Sequence, residues 1–311
     1  MPVRLLIINS MKSGLRDGSI YDFMRKIASD GDEVVVRTTD GTTHIETMLH
    51  DAREFDTVIV AGGDSTISAV SYALRESRIP ILPFPVGVGN LIAANLDEPE
   101  EPAALVNIVR DGFTQDYDLG ELEFITDGVS QTRGFTVMSG AGFDARIMNV
   151  FEKQKGFIGP MAYLTSAIAN PSPTVSHFTI TLDDKVLEKD AIAVLIINFA
   201  KIYPAIPITH ANDARDGLFE VAIIKAQSTL ELFPAMVSAF LDRGGTFPGR
   251  ADAMEVHLSR NVRIECDPPL DTQFDGELIG VLPSFSARLL PRAARYIVTK
   301  EEYDRRQQPA G

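Results

Sequence analysis

Between residues 3 and 84, short apolar runs alternate with amphipathic stretches, and this alternation constrains the fold more than any other feature. Val3–Ile8 is a continuous apolar run closed by Asn9. Ile20, Phe23, Met24, Ile27 and Ala28 then fall at i, i+3, i+4, i+7 and i+8, the stripe of an amphipathic helix. Next come a strand at Val34–Val36, a helix carrying Ile45, Met48, Leu49 and Ala52, and a strand at Thr57–Ala61. A helix with Ile67, Val70 and Leu74 and a strand at Ile79–Phe84 complete the series. Strands joined through helices pair in parallel, because the crossover returns the chain to the same end of the sheet. The expectation for residues 1–118 is a doubly wound α/β domain.

Past the third strand–helix repeat the rhythm changes. Asp-Gly pairs recur at 111–112, 127–128, 216–217 and 275–276 and bound β-like runs at Gly134–Met138, Phe178–Leu182, Ala191–Ile197 and Leu218–Ile224. Helices are expected only around Pro160–Ala169 and Thr229–Leu241. A mostly antiparallel, β-rich second domain over 119–291 follows. The polar end, Arg292–Gln308, reads as a helix that packs back on the first domain, and 292–311 is assigned there.

Charge excludes several functions. The chain of 311 residues carries a net −14, and ten acids against one base between Leu91 and Gln131 account for most of it. Such a balance argues against nucleic-acid binding through the overall field, and against recruitment to anionic membranes by bulk charge. Glu98, Glu100 and Glu101 read as solvated charges. The basic residues of the tail (Arg292, Arg295, Lys300, Arg305 and Arg306) are the local candidates for a membrane-facing patch. One cysteine, Cys266, permits no internal disulfide and no Cys-rich metal site. The apolar start is too short for a secretory or membrane segment, and no run approaches about 18 apolar residues. A cytoplasmic protein, peripheral at a membrane at most, is expected.

Three turns follow strands of the first domain directly, and all carry glycine: Asn9-Ser10-Met11-Lys12-Ser13-Gly14, Ala61-Gly62-Gly63-Asp64-Ser65-Thr66 and Pro85-Val86-Gly87-Val88-Gly89-Asn90. Strand carboxyl ends line the ligand crevice of an open α/β sheet. Glycines admit a phosphate close to the backbone, and a helix start offers it N–H groups. Asp64 has the sign to hold Mg²⁺ or its waters. Singly each turn is an ordinary tight connection; three on one sheet edge point to a phosphate-bearing ligand. Neither a Walker A motif nor a complete dinucleotide fingerprint is present, since Ile92 stands where the latter needs its third glycine.

These residues resemble a known family. Gly62-Gly63-Asp64-Ser65-Thr66 is similar to the Gly-Gly-Asp-Gly-Thr signature of the diacylglycerol kinase and sphingosine kinase catalytic-domain family. Pro85–Asn90 resembles its Pro-x-Gly-Thr-x-Asn-Asp loop, and Asp118-Leu119-Gly120 its Asp-x-Gly. Gly140-Ala141-Gly142-Phe143-Asp144, Asp216-Gly217-Leu218 and Asp275-Gly276-Glu277 match later segments. The resemblance implies a nucleotide site between an α/β and a β-rich lipid-substrate domain, and transfer of phosphate from ATP to a lipid hydroxyl. It implies ATP contacts at Asn9, Ser13, Gly14, Thr39, Gly62, Gly63, Asp64, Ser65, Thr66, Gly87, Val88, Gly89 and Asn90. It further implies a structural Mg²⁺ held by Asp213, Asp216 and the carbonyl of Leu218. Glu277 would accept the hydroxyl proton and Asp64 would organise catalytic Mg²⁺, with Asp118 as a carboxylate near the cleft.

Departures accompany the matches. Ser65 replaces a glycine, Val88 a threonine and Leu91 an aspartate. The expected function is therefore an ATP- and Mg²⁺-dependent lipid kinase, with two alternatives: a catalytically weakened nucleotide- or lipid-binding relative, and an NAD kinase. The expected partner is a lipid at a membrane surface and not nucleic acid; a homodimer is left open.

Overall fold

The computed structural model describes residues 3–12, 18–28, 31–87, 89–142, 173–203, 206–207, 213–225 and 254–307. The chain divides into two compact units, residues 1–119 with 291–311, and residues 120–290.

The first unit is built on a parallel sheet of β1 (Arg4–Ser10), β2 (Glu33–Thr39), β3 (Thr57–Gly62) and β4 (Ile81–Pro85), in the order β4-β3-β1-β2. Helices α1 (Ser19–Ala28), α2 (Ile45–Met48), α3 (Asp64–Ala73), α4 (Leu91–Asn95) and α5 (Pro102–Asp111) supply the crossovers. The continuous apolar strands are buried on both faces, as a parallel sheet requires: Leu5, Leu6, Ile7 and Ile8 are fully buried, as are Val58, Ile59 and Val60. From α1 the stripe Ile20, Phe23 and Ile27 enters the core, where the Phe23 ring meets Phe84 edge-on at 5.4 Å. Leu105, Ile108 and Val109 of α5 close the same cluster.

Among the described residues, the strands of the second unit pair antiparallel. Its strands are β5 (Thr114–Thr126, from Gly120 on), β6 (Val129–Phe135), β7 (Met138–Gly142), β8 (Ser176–Leu182), β9 (Lys185–Ala191), β10 (Ala193–Ile197), β11 (Lys201–Tyr203), β12 (Ile206–Pro207), β13 (Phe219–Ile224), β14 (Met254–Ser259), β15 (Asn261–Phe274) and β16 (Glu277–Ile297, as far as Leu290). Strands β14-β13-β10-β7-β15 lie side by side, and β8 joins β15 with β9 beyond it. Alternating residues such as Phe178, Ile180 and Leu182 of β8 and Val262, Ile264 and Cys266 of β15 fill one core. Cys266 is thus a buried filler. The fold class expected from the sequence, a doubly wound α/β domain followed by a β-rich one, is the observed one.

Three local expectations need correction. The run Gly134–Met138 is not one strand: β6 ends at Phe135 and β7 begins at Met138. The run Ala191–Ile197 bends at Ile192, between β9 and β10. In the tail, Arg292–Ile297 extends β16 rather than forming a helix, with Tyr296 pairing in parallel with Ile81 of β4, and only α6 (Lys300–Gln307) is helical. Ala294 and Tyr296 are buried at alternate positions, a period of two that the intervening arginines obscure. The expected helices at 160–169 and 229–241 lie outside the described residues.

Part of the acidic segment is paired or buried within the fold, while Glu100, Glu101, Asp111, Glu123 and Asp127 are exposed. Asp116 pairs with Arg78 and Arg295, and Asp97 with Arg305. Two of the tail bases proposed for a membrane patch are thereby paired with acids of their own unit. Glu98 is not a solvated charge either: both its carboxylate oxygens are buried without a partner. Burial alone pushes its carboxyl well above the ordinary value of 4.5. A group with a raised folded-state pKa takes up a proton on folding, so its contribution is most favourable below about pH 4.5 and worsens as pH rises. Glu98→Gln, which removes the ionisation, is expected to raise Tm near neutral pH. The gain should shrink toward about pH 4, which thermal denaturation across that range measures.

Candidate nucleotide and acceptor sites

Parallel register aligns the strand ends of the first unit. Ser10 sits opposite Thr39, Asn9 opposite Ala61, and Gly62 opposite Pro85. The three glycine-bearing turns therefore leave the same carboxyl edge of the sheet, together with Thr39. Thr39 is buried and its hydroxyl accepts the Gly41 N–H at 3.0 Å. The side-chain oxygen of Asn9 is buried and has no partner. An unsatisfied buried acceptor is rare in folded proteins and marks a place where a ligand or water donates.

The second and third turns are locked together by Asp64. Its carboxylate accepts the main-chain N–H of Ile92 at 2.8 Å and of Leu91 at 3.1 Å, spanning 28 and 27 residues. These are first-turn amides of the short helix α4, which no intrahelical acceptor reaches. Burial pushes the Asp64 carboxyl up, opposed by the two amides. Contact between the turns is close enough to demand glycine: a Cβ on Gly87 would stand 3.1 Å from Gly63 Cα, and one on Gly89 would stand 3.0 Å from an Asp64 oxygen. Asn90 takes the left-handed conformation (φ 49°) and its side chain accepts the Gly87 N–H at 2.7 Å, a geometry Asn tolerates better than most residues. Asp64 is thus a clamp between turns in this structure, both of its oxygens engaged by backbone.

Ser65 and Thr66 lie in the first turn of α3, whose N-terminal N–H groups face the same edge. Ser65 is not among the positive-φ residues, so its replacement of glycine carries no left-handed strain. Leu91 is buried and offers only its main-chain N–H. Ser13, Gly14 and Val88, like Phe143 and Asp144, lie outside the described residues. The sequence reading singled out no base here, yet Lys12 is the only basic residue in the three turns. Its side chain lies over Gly41, where an added Cβ would come within 2.8 Å of Nζ.

Asp213, Asp216 and Leu218 occupy one turn before β13. The Leu218 N–H donates to Asp216 at 2.8 Å, and Asp213 faces the Arg215 guanidinium at 3.2 Å. The donor set is all oxygen, which suits Mg²⁺; a cation there would draw Asp213 away from Arg215. Among the described residues no group of three or more His, Cys, Asp or Glu side chains is arranged to hold a metal. Asp118 is fully buried and accepts the Arg292 N–H at 2.7 Å, which ties the returning chain to β5 instead of leaving a carboxylate for a metal.

Glu277 is exposed and opens β16 directly after the Asp275-Gly276 turn, paired with Phe274. It lines a groove of about 570 Å³ within the second unit, together with Phe124, Arg133 and Val281. Ile125 and Val281 line the same groove and are 64% and 61% exposed.

Known proteins place this geometry. A family model described as the diacylglycerol kinase catalytic domain matches residues 4–122, and one described as the YegS C-terminal NAD kinase beta sandwich-like domain matches residues 137–298. The chain belongs to this family of diacylglycerol and YegS-like lipid kinases. It is 26% identical over 254 residues to a diacylglycerol kinase of Mycobacterium tuberculosis, covering 76% of this chain and 77% of that protein. With a Klebsiella pneumoniae protein named "Probable lipid kinase YegS-like" it shares 24% identity over 302 residues, covering 94% and 95%. It spans about half, 53%, of an uncharacterized Synechocystis protein to which it is 23% identical over 76% of its own length. In fold it is similar to a diacylglycerol kinase structure from Bacillus anthracis (TM-score 0.70, 17% identity, 96% and 97% coverage). The fold likeness to an NAD kinase from Archaeoglobus fulgidus is more distant (TM-score 0.51, 10% identity, 97% and 96% coverage). No described helix is long and apolar enough to cross a membrane.

Two substitutions separate the clamp from the signature departure. Asp64→Ala leaves two buried N–H groups unmet and is expected to cost about 1–3 kcal/mol in urea denaturation. Ser65→Gly is expected to lose up to about 1 kcal/mol, because glycine weakens a helix and no strain is relieved.

Proposed function

We propose that this chain transfers the terminal phosphoryl group of ATP, with Mg²⁺, to a hydroxyl of diacylglycerol or a related lipid. The observation that carries the reading is the carboxyl edge of the first unit, where Asn9, Thr39, Gly62–Thr66 and Gly87–Asn90 leave aligned strands. Phosphoryl transfer asks mainly for positioning and charge neutralisation. Glycine turns let main-chain N–H groups approach the phosphates, the α3 N-terminus supplies partial positive charge, and Lys12 adds a full one. Asp64 keeps the second and third turns in register beneath them. Bound Mg²⁺ would supply further neutralisation, and Asp213, Asp216 and the Leu218 carbonyl are the donors assigned to a structural ion.

On the acceptor side, Glu277 takes the proton of the lipid hydroxyl. The groove it lines falls within the roughly 300–1,000 Å³ of small-molecule sites. Its mixed lining, with Gln131, Arg133 and Glu277 beside exposed Ile125 and Val281, suits an amphipathic ligand presented at a membrane surface. The strongly acidic balance favours no nucleic-acid partner. Leu91 supports a second reading, a catalytically weakened relative, since its buried apolar side chain cannot organise a metal or its waters.

Purified protein incubated with Mg²⁺, radiolabelled ATP and a total lipid extract is expected to yield labelled phospholipid. Glu277→Gln should lower kcat by about 10²–10⁴-fold. A large gain in turnover on Leu91→Asp would favour the weakened relative, and labelled NADP with added NAD and no labelled lipid would favour the NAD kinase reading.

A further inference from the structure

Asp275 is absent from the roles derived above, yet its carboxylate is engaged by the main chain of a distant segment. Its carboxylate accepts three consecutive N–H groups: Thr136 at 2.7 Å, Val137 at 2.8 Å and Met138 at 2.9 Å. Its own N–H returns a bond to the Met138 carbonyl at 2.9 Å. The side of the knot facing β10 is equally complete. Asn198 donates its side-chain amide to the Thr136 carbonyl at 2.7 Å, and the N–H groups of Asn198 and Phe199 meet the Val137 carbonyl at 2.9 and 3.0 Å. All six polar main-chain groups of 136–138 are therefore satisfied, in a segment where Thr136 and Val137 are fully buried.

This knot fixes the turn that carries Glu277. Asp275 and Gly276 both have positive φ, 43° and 82°, the conformation of a two-residue hairpin turn. The Gly276 N–H donates to the Gln273 side chain at 3.0 Å. Phe274 pairs with Glu277 and Gln273 with Leu278, and the register of β15 and β16 shifts just beyond them, between Thr272 and Gln273. Rotation of the turn would move Glu277 directly, and the Asp275 carboxylate resists that rotation from three donors at once.

We propose that Asp275 is the positioning residue for Glu277: by binding the amides of 136–138 it holds the Glu277 carboxylate at the height where the acceptor hydroxyl is met. This rests on the reading of Glu277 as proton acceptor. Asp275→Asn tests it, because Asn keeps the left-handed turn preference but presents an NH₂ group to at least one of the three N–H donors. The expected result is a loss of kcat of about 10²-fold, the scale of a misplaced catalytic group, with KM for ATP unchanged. Amide hydrogen exchange should accelerate at Thr136, Val137 and Met138. Ile264→Val and Ile264→Ala, core changes on β15 remote from the turn, supply matched losses of Tm and should leave kcat intact. Retention of kcat in Asp275→Asn while Glu277→Gln is inactive would overturn the proposal. So would an equal fall of kcat in an Ile264 variant of the same Tm. Full activity of Glu277→Gln would instead remove the reading on which the proposal stands, and the wild-type assay and this variant separate the two failures.

Discussion

Main-chain N–H groups that leave water without a strand or helix partner have to be met by something, and in this chain aspartates meet several of them. Asp64 takes the first-turn amides of α4, Asp275 those of the β6–β7 connection, and Asp118 that of Arg292. Asp183 does the same for Arg260 and Asn261. A carboxylate accepts two or three such bonds at once, each stronger than a neutral one because the acceptor is charged. The glycine turns, the left-handed Asn90 and the hairpin carrying Glu277 all depend on these joints for their shape. Leaving the amides held by Asp64 or Asp275 unmet would strand buried donors at a cost comparable to a sizeable share of a domain's net stability.

The same device changes the meaning of the net charge. Acids concentrated between Asp97 and Asp127 look from composition like a solvated patch. In the folded chain Asp116 and Asp97 neutralise arginines, Glu121 pairs with Arg288, and Asp118 is spent on a backbone amide. Part of the local charge distribution is thus a matter of internal construction. Glu98 is the exception, buried without a partner, and its ionisation works against the folded state.

Much of the architecture was legible before folding was considered. Val3–Ile8 and Thr57–Ala61 are continuous apolar runs because a parallel sheet buries both faces, and the 3.6-residue stripe of α1 appears as Ile20, Phe23 and Ile27 in the core. The three glycine turns were legible as a group because each follows its strand directly. Errors arose where a short run was judged by composition. Thr136 and Val137 have strand-like side chains, but their amides are claimed by Asp275, so the ladder breaks there. The arginines at 292 and 295 hid a strand whose alternate positions, Ala294 and Tyr296, are buried. Ser65, which replaces a glycine of the signature, is an ordinary residue of the first turn of α3.

The amino-acid sequence by itself determined the alternation that makes the first unit doubly wound, the glycine turns at its strand ends and the hairpin geometry of Asp275-Gly276. Each of these is local: helical and strand periodicity, and the freedom of glycine or aspartate to adopt positive φ, act within a few residues. Only the tertiary structure decided which amides each carboxylate would hold. Asp64 reaches 27 and 28 residues ahead, and Asp275 reaches 137 to 139 residues back. Pairings at such separations leave no periodic trace in the chain, because any acid in a turn looks the same until the fold brings a donor to it.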